Sequence, residues 1–175
     1  SRTMTAADLR QQDMLEQALA LVIRTHRDIP RHLRGPALTF WVFQVLRDYA
    51  GTLEVGESRH RAALAGLMED AAELERAVGR IEMVFGHNDL LPGNFLHDGQ
   101  RMRLIDWDYA GWGSPLVDLG GLAANTGIDR AQEGWLLEAY FGRAPDADLW
   151  RRYRAMKAAA AASPGNSASY GNGPE

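Results

Sequence analysis

Two short segments of this 175-residue chain carry the side chains that transfer of a phosphoryl group to an alcohol requires. Residues 87–94 read HNDLLPGN, and residues 104–108 read LIDWD. In the first segment, Asp89 can accept the proton of an attacking hydroxyl, and Asn94 can give its amide oxygen to a metal ion. In the second, Asp106 follows a short apolar run and can bridge a metal and phosphates from the end of a strand. The spacing therefore predicts a magnesium-assisted phosphoryl-transfer site.

The residues around these segments predict how the two come together. A Leu-Pro-Gly tripeptide between Asp89 and Asn94 predicts a bend rather than a helix, which places both side chains on one catalytic loop. Residues 95–97 and 102–105 are short strand candidates, and the Asp-Gly pair between them is a strong hairpin signal. Because a hairpin folds the chain back, we expect Asp106 to lie near Asp89 in space.

The combined pattern resembles the aminoglycoside phosphotransferase and choline/ethanolamine kinase superfamily. That superfamily has a His-x-Asp-x-x-x-x-Asn catalytic loop and an Ile-Asp-Trp/Phe-Asp/Glu metal motif, which correspond to residues 87–94 and 105–108. Residues 106–111 (DWDYAG), with 114–120 (SPLVDLG) after them, are most similar to the bacterial choline kinase-like branch. The resemblance covers residues 5 to about 157 and is concentrated between residues 84 and 125.

This resemblance implies a role for each residue of the site. Asp89 would be the catalytic acid/base, and Asn94 and Asp106 would hold Mg²⁺. His87 and Asp118 would support the catalytic loop from inside the protein through hydrogen bonds. ATP would be the phosphoryl donor, so the expected activity is that of a kinase that phosphorylates an alcohol group.

The acceptor side is less specific. By resemblance, Asp108 is a candidate metal or acceptor contact, and Trp107, Tyr109 and Trp112 cluster beside the acids as candidate acceptor contacts. Aromatic faces attract a quaternary ammonium group, although packing alone also explains such a cluster. The resemblance implies a small, cationic acceptor, with choline or ethanolamine first and an aminoglycoside or a thiamine-like molecule as the alternative.

The sequence lacks the usual signals of a nucleotide-binding lobe. No glycine-rich loop precedes His87, and the only lysine, Lys157, lies far beyond the catalytic loop. Arginine does not substitute freely for a phosphate-binding lysine. Residues 111–113 (GWG) are predicted to form a turn instead of a phosphate-covering loop. We therefore expect the small nucleotide-binding lobe to be absent from this chain, which could leave the chain inactive alone.

Two other classes of function compete with a kinase. A non-catalytic fragment would associate with a partner, or with a second copy of itself, through the surface that the missing lobe would cover. Such a fragment should expose apolar area. A metal-dependent hydrolase fits poorly, because the acids lack accompanying metal-binding histidines.

The fold expected from the whole pattern is α+β and mostly α-helical. It is the C-terminal lobe of a protein-kinase-like fold, with a small β-hairpin carrying the catalytic and metal residues. Residues 1–162 would form this lobe, residues 163–175 would be a disordered tail, and residues 81–85 are a further strand candidate. Apolar periodicity predicts helices at residues 5–27, 37–50, 58–79, 116–125, 130–141 and 146–162.

Capping residues and a proline predict the ends of these helices. Thr5, Ser58, Asp129 and Asp146 are candidate N-caps. The Asp-Ile-Pro tripeptide at residues 28–30 is expected to end the first helix.

The other histidines and arginines receive ordinary roles. The arginines within residues 151–154 are expected to form an exposed helix face. Surface or packing roles are expected for the histidines without metal-ligand spacing, namely His26, His32, His60 and His97.

Composition is that of a globular domain without disulfides. Hydrophobic residues make up 46% of the chain, and there is no cysteine. A net charge of −4 argues against nucleic acid as a partner. No apolar run approaches the length of about 18 residues that a membrane span needs, and no signal-peptide pattern is present at the N-terminus. The expectation is a cytoplasmic protein without a membrane partner.

Overall fold

The computed structural model describes residues 1–55 and 61–162, and these form the predicted mostly helical α+β fold. Two small antiparallel sheets lie among the helices. Ser58, His60 and the predicted tail lie outside the described residues. In chain order the elements are β1 (Arg2–Thr3), α1 (Ala6–Leu9), α2 (Gln12–His32), α3 (Val42–Val55), α4 (Arg61–Val78), β2 (Val84–Gly86), a single 3-10 turn (Pro92–Asn94), β3 (Phe95–His97), β4 (Met102–Leu104), β5 (Gly111–Gly113), α5 (Pro115–Thr126), α6 (Arg130–Phe141) and α7 (Ala147–Ala162).

The predicted hairpin forms the larger sheet. Strands β3 and β4 pair antiparallel with Phe95 opposite Leu104, and β1 adds to the other edge of β3. The Asp98 carboxylate accepts the backbone N–H groups of Gln100 and Arg101 and so closes the turn between the strands. This sheet fixes where the chain re-enters the site after the hairpin.

The first helical region differs from its prediction in two ways. Thr5 caps a helix as expected, through a reciprocal capping box with Asp8, but this helix is only the short α1. The long helix α2 then continues through Pro30 to His32, so the predicted end at residues 28–30 is wrong. Pro30 lacks an N–H and so removes one backbone hydrogen bond. Only two helical residues follow it, and the Leu33 N–H donates to the Ile29 carbonyl at 3.0 Å.

A second sheet occupies the place of a predicted turn. Residues 111–113 form strand β5, which pairs antiparallel with β2, so the turn predicted there is wrong. Residues 38–40 run alongside β5: the Phe40 N–H donates to the Trp112 carbonyl at 2.8 Å, and the Trp112 N–H donates to the Leu38 carbonyl at 2.7 Å. Helix α3 consequently begins at Val42 instead of residue 37.

Helices α5 and α7 pack backbone against backbone in the core. Helix α5 is buried along nearly its whole length, and a Cβ on Gly120 would lie 2.9 Å from the Cα of Lys157. Asp129 caps α6, and the Leu149 N–H donates to Asp146 just before α7, as expected for these two acids. None of the helices among the described residues is long and apolar enough to cross a membrane.

Two details of the surface prediction are wrong. Apolar periodicity within the predicted helix 58–79 places Leu64, Leu67 and Val78 on one buried face. Leu64 and Val78 are buried, but Leu67 is 56% exposed. Arg152 is half-buried, whereas Arg151 and Arg154 are exposed as expected. Arg151 donates to the carbonyl of residue 77, and Arg152 donates to those of residues 78 and 80. Residues 77 and 78 lie in the last turn of α4, where carbonyls lack helical partners.

Candidate active site

The catalytic loop connects β2 to the 3-10 turn and holds Asp89 against Asn94. The predicted bend is this 3-10 turn, which the Asn94 N–H closes on the Leu91 carbonyl at 3.0 Å. The Asn94 side-chain Nδ2 donates to the Asp89 backbone carbonyl at 2.9 Å and to the Asp89 carboxylate at 3.3 Å. Because the nitrogen faces Asp89, the amide oxygen of Asn94 is the atom available as a metal ligand.

The position of Asp89 suits a proton acceptor. The residue is half-buried, and this burial raises the pKa of its carboxyl above the ordinary value of an aspartate. The proximity of the His87 imidazole and the hydrogen bond from Asn94 oppose the shift, whereas the charges of Asp106 and Asp118 add to it. A carboxylate with a raised pKa is a stronger base than a solvated one, which is useful for accepting a proton from an alcohol.

The hairpin returns the chain to this loop and places Asp106 beside it. The Ile105 N–H donates to the Asn94 carbonyl at 3.0 Å, so the residue before Asp106 is tied directly to the catalytic loop. Asp106 is exposed and has a φ of +63°, a left-handed conformation that aspartate tolerates better than most residues. The structure thus brings Asp89, Asn94 and Asp106 to one place, as the spacing predicted.

His87 links the catalytic loop to residues 104–108 from the interior of the protein. Its side chain is fully buried, its Nε2 donates to the Ile105 carbonyl at 2.9 Å, and its Nδ1 accepts the Asp89 N–H at 3.3 Å. The Trp107 ring packs on the imidazole edge to face, with centroids 4.8 Å apart. His87 therefore forms hydrogen bonds with the backbone of both motifs.

Asp118, from the first turn of α5, holds the start of the catalytic loop. Its carboxylate accepts the N–H of His87 at 2.9 Å and the N–H of Asn88 at 2.6 Å. Burial alone would raise the pKa of Asp118, but the hydrogen bond from His26, with that from the His87 N–H, keeps it below the ordinary value. The carboxylate is therefore ionised while it is fully buried.

Sequence reasoning missed Asn88 as a residue of the site. Asn88 has a φ of +65°, and its Nδ2 donates to the Tyr109 carbonyl at 2.9 Å, which joins the catalytic loop to the segment after Asp106. A signal existed, because asparagine is one of the few residues that accept the left-handed conformation in a tight loop. Its contact with residue 109 depends on the fold and has no local signal.

The aromatic residues do not form one cluster. Each packs on a different ring: Trp107 on His87, Tyr109 on Phe40, and Trp112 on Phe85 within the small sheet. Trp107 and Tyr109 are 37% and 48% exposed, so parts of their faces are open to a ligand, while Trp112 is half-buried. Of the three aromatic candidates, the two exposed rings next to the exposed Asp108 are the better placed.

The donor atoms at the site suit a magnesium ion that has few protein ligands, and they do not suit a metal site in which the protein supplies every ligand. Within residues 1–55 and 61–162, no group of three or more His, Cys, Asp or Glu side chains is arranged to hold a metal by itself. Asn94 and Asp106 offer two oxygen ligands, and Mg²⁺ commonly takes one or two protein ligands and completes its shell with waters and phosphate oxygens. Lys157 forms an ion pair with Glu133 instead of facing the loop.

Comparison with known proteins identifies a family and several relatives. Residues 2–157 match the family model described as the phosphotransferase enzyme family. The protein LicA of Haemophilus influenzae is 27% identical over 144 residues, which are 80% of this chain and 52% of that protein. A thiamine kinase of Escherichia coli is 36% identical over 70 residues, covering 39% of this chain and 24% of the relative.

A solved structure shares the fold across almost the whole chain. The crystal structure of a choline/ethanolamine kinase family protein from Mesorhizobium loti superposes with a TM-score of 0.76 at 25% sequence identity. The superposition covers 99% of this chain and 60% of that chain. The expected superfamily and the kinase-like fold are thereby confirmed, and the chain spans about half the length of the Haemophilus relative.

Proposed function

This chain belongs to the phosphotransferase enzyme family, and we propose that its site transfers the terminal phosphoryl group of ATP to the hydroxyl of a small molecule. The observation that carries the proposal is the half-buried Asp89, whose pKa is raised and which Asn94 holds beside Asp106 on one loop and hairpin. The family match and the names of the relatives support the same class of reaction.

Each site residue has a chemical task in this proposal. Asp89 accepts the proton of the acceptor hydroxyl. The hydroxyl oxygen forms a bond to the terminal phosphorus of ATP while the bond between that phosphorus and ADP breaks. Asn94 and Asp106 would hold Mg²⁺ through oxygen atoms, and the bound ion would neutralise charge on the phosphates. His87 and Asp118 keep the loop in position through their hydrogen bonds to its backbone.

We propose that the acceptor is a small cationic alcohol, with choline or ethanolamine ahead of other candidates. The exposed faces of Trp107 and Tyr109 and the carboxylate of Asp108 suit a positively charged group. The fold shared with a choline/ethanolamine kinase family protein supports this order. The thiamine kinase relative supports a thiamine-like acceptor as the alternative, and an aminoglycoside is a third candidate.

We further propose that residues 1–162 act as the catalytic lobe and that a separate lobe supplies the main contacts to the nucleotide. The only lysine of the chain, Lys157, is already paired with Glu133, so no lysine remains for the phosphates. The partial coverage of the relatives supports this division of tasks. Turnover at a useful rate would then require that lobe.

A non-catalytic role in association is the second candidate, and the exposed apolar side chains near the site favour it. Leu38 is 71% exposed, Ile105 is 39% exposed, and Trp107 and Tyr109 add aromatic area. Exposed apolar side chains that lie together commonly mark a surface that binds another protein or a second copy of the chain.

Acceptor-dependent release of ADP from MgATP tests the kinase proposal. Choline, ethanolamine, thiamine and an aminoglycoside would each be offered to the native chain, to Asp89→Asn and to Asp70→Asn, a matched change at an exposed position of α4. Because the chain is assayed without a separate lobe, we expect slow turnover, which Asp89→Asn reduces by about a further 10²–10⁴-fold and Asp70→Asn leaves unchanged. Equal turnover in both variants would contradict the role of Asp89. No turnover with any acceptor, together with concentration-dependent self-association in sedimentation, would favour the second candidate.

A further inference from the structure

His26 is a buried histidine of α2, far from the catalytic loop in sequence, and it contacts the carboxylate that holds this loop. We propose that His26 is a positioning residue: together with Tyr140 it fixes Asp118, and through Asp118 it fixes the backbone just before Asp89. The effect on the backbone is independent of what the site does. Only the effect on turnover rests on the proposed kinase function.

The contacts form a continuous path between helices and loop. The Nε2 of His26 lies 2.9 Å from Oδ2 of Asp118, and the side chains of both residues are 1% exposed. The same Oδ2 accepts the His87 N–H at 2.9 Å, and Oδ1 accepts the Asn88 N–H at 2.6 Å. One carboxylate therefore shares its oxygens between a side chain of α2 and two successive backbone amides of the catalytic loop.

Asp118 determines which nitrogen of His26 carries a hydrogen, and the hydroxyl of Tyr140, from α6, contacts the other nitrogen. This hydroxyl lies 2.7 Å from Nδ1 of His26, and the two rings pack edge to face with centroids 5.5 Å apart. Because the carboxylate of Asp118 can only accept, Nε2 must carry a hydrogen, and Nδ1 of a neutral ring then accepts the Tyr140 hydroxyl. Burial and the charge of Asp118 raise the pKa of Tyr140, so the hydroxyl keeps its proton.

Removal of the His26 donor would leave a buried charge with one hydrogen bond fewer. A buried carboxylate is stable only while donors replace the water that it has lost. With two donors left, Asp118 is expected to rotate or take up a proton, and either change weakens its bonds to the amides of His87 and Asn88. These amides lead directly into Asp89, so a loss of order there moves the proton acceptor.

A packing role for His26 is the competing explanation, and three variants separate the two. His26→Gln keeps an N–H donor near the position of Nε2, whereas His26→Leu keeps volume and removes the donor. Leu15→Ala opens a cavity at a fully buried position near the start of the same helix, away from the path to Asp118. A packing role would make His26→Leu resemble Leu15→Ala, and the Gln variant would bring no recovery.

Amide hydrogen exchange followed by NMR on the full chain tests the proposal without any need for activity. We expect His26→Leu to speed exchange at the amides of residues 87 and 88 by at least about 10-fold more than at the core amides of α5. His26→Gln should stay within about 3-fold of the native rates, and Leu15→Ala should speed exchange without selecting these two amides. Native-like exchange in His26→Leu, or equal acceleration by the Gln and Leu variants, would overturn the proposal.

Two further measurements keep the outcomes distinct. Tyr140→Phe removes only the hydroxyl and should cause a smaller acceleration at the same two amides, which tests the path if His26→Leu fails to fold. No selective acceleration in Tyr140→Phe would then overturn the proposal. If the chain proves to be a kinase, His26→Leu should lower kcat more than it changes KM for the acceptor. Selective exchange without turnover would support the positioning role while the proposed function fails.

Discussion

At the scale of single residues, the raised pKa of Asp89 makes its carboxylate a stronger base but lowers the stability of the folded protein at neutral pH. Burial of its carboxyl disfavours the charged form, so the folded protein carries a cost at neutral pH that disappears as the pH falls through the raised pKa and the group takes up a proton. The same raised pKa makes Asp89 the better base. Sites that perform chemistry often carry such costs.

Asp89→Asn should therefore stabilise the protein while it removes the base. At pH 7 we expect a modest gain in the free energy of unfolding, below about 1 kcal/mol, that shrinks as the pH falls through the raised pKa. Urea unfolding at a series of pH values measures this, with Asp70→Asn as the exposed control. A loss of stability in Asp89→Asn at pH 7 would mean that the hydrogen bond from Asn94 outweighs the cost of burial.

The residues of the site differ in how far the sequence revealed them. Asp89, Asn94 and Asp106 were recognisable because they stand within one loop and one hairpin, where local turn signals determine their approach. For His26 the sequence predicts only an ordinary surface or packing role, because its partner Asp118 is 92 residues away and no local pattern encodes that pairing. Trp112 was grouped with the acceptor aromatics by sequence proximity, but strand pairing turns it toward Phe85.

At the scale of elements, local sequence patterns predict some helices and strands, whereas strand β5 depends on the close approach of two backbone segments. Helix α6 and the hairpin strands follow from local periodicity and turn residues, and their bounds agree closely with the predictions. Strand β5 does not, since a Gly-Trp-Gly tripeptide is an ordinary turn signal. A Cβ on Gly111 would lie 2.5 Å from the Leu38 carbonyl oxygen, so this glycine permits the neighbouring segment to pair there.

Two adjacent glycines of α5 give a matched test of such an approach. A Cβ on Gly120 would meet the backbone of Lys157 in α7 at 2.9 Å, while a Cβ on Gly121 would meet nothing within 4 Å. Gly120→Ala should therefore destabilise the protein by about 1–3 kcal/mol, because the helices must separate. Gly121→Ala should stabilise it by up to about 1 kcal/mol through helix propensity.

Thermal and urea unfolding of both glycine variants provide the measurement. Opposite signs for two identical changes one residue apart would locate the contact between α5 and α7. If Gly120→Ala is neutral, the two helices can shift at little cost, and α5 is then a less rigid support for Asp118 than its burial indicates.

At the scale of the whole molecule, the buried carboxylate of Asp118 connects three helices to the site and makes their packing sensitive to acid. Helices α2 and α6 reach it through His26 and Tyr140, and the loop reaches it through the amides of His87 and Asn88. Its folded pKa is lowered, so its stabilising contribution is present above the unfolded value of about 3.9 and is lost as the pH falls through the folded pKa.

Asp118→Asn should therefore lower the free energy of unfolding and make it depend less on pH in the acid range. At pH 7 we expect a loss of about 2–4 kcal/mol, because an amide cannot accept all three hydrogen bonds. Below pH 4 the native protein should approach the variant, since protonation removes the same charge. Urea midpoints between pH 7 and pH 3 measure how the stability of the native protein and of Asp118→Asn depends on pH. Asp13→Asn, a change at an exposed position of α2, serves as the control. Parallel slopes for the native protein and Asp118→Asn would place the acid sensitivity elsewhere, for example in the growing positive charge of a chain with 19 lysines and arginines.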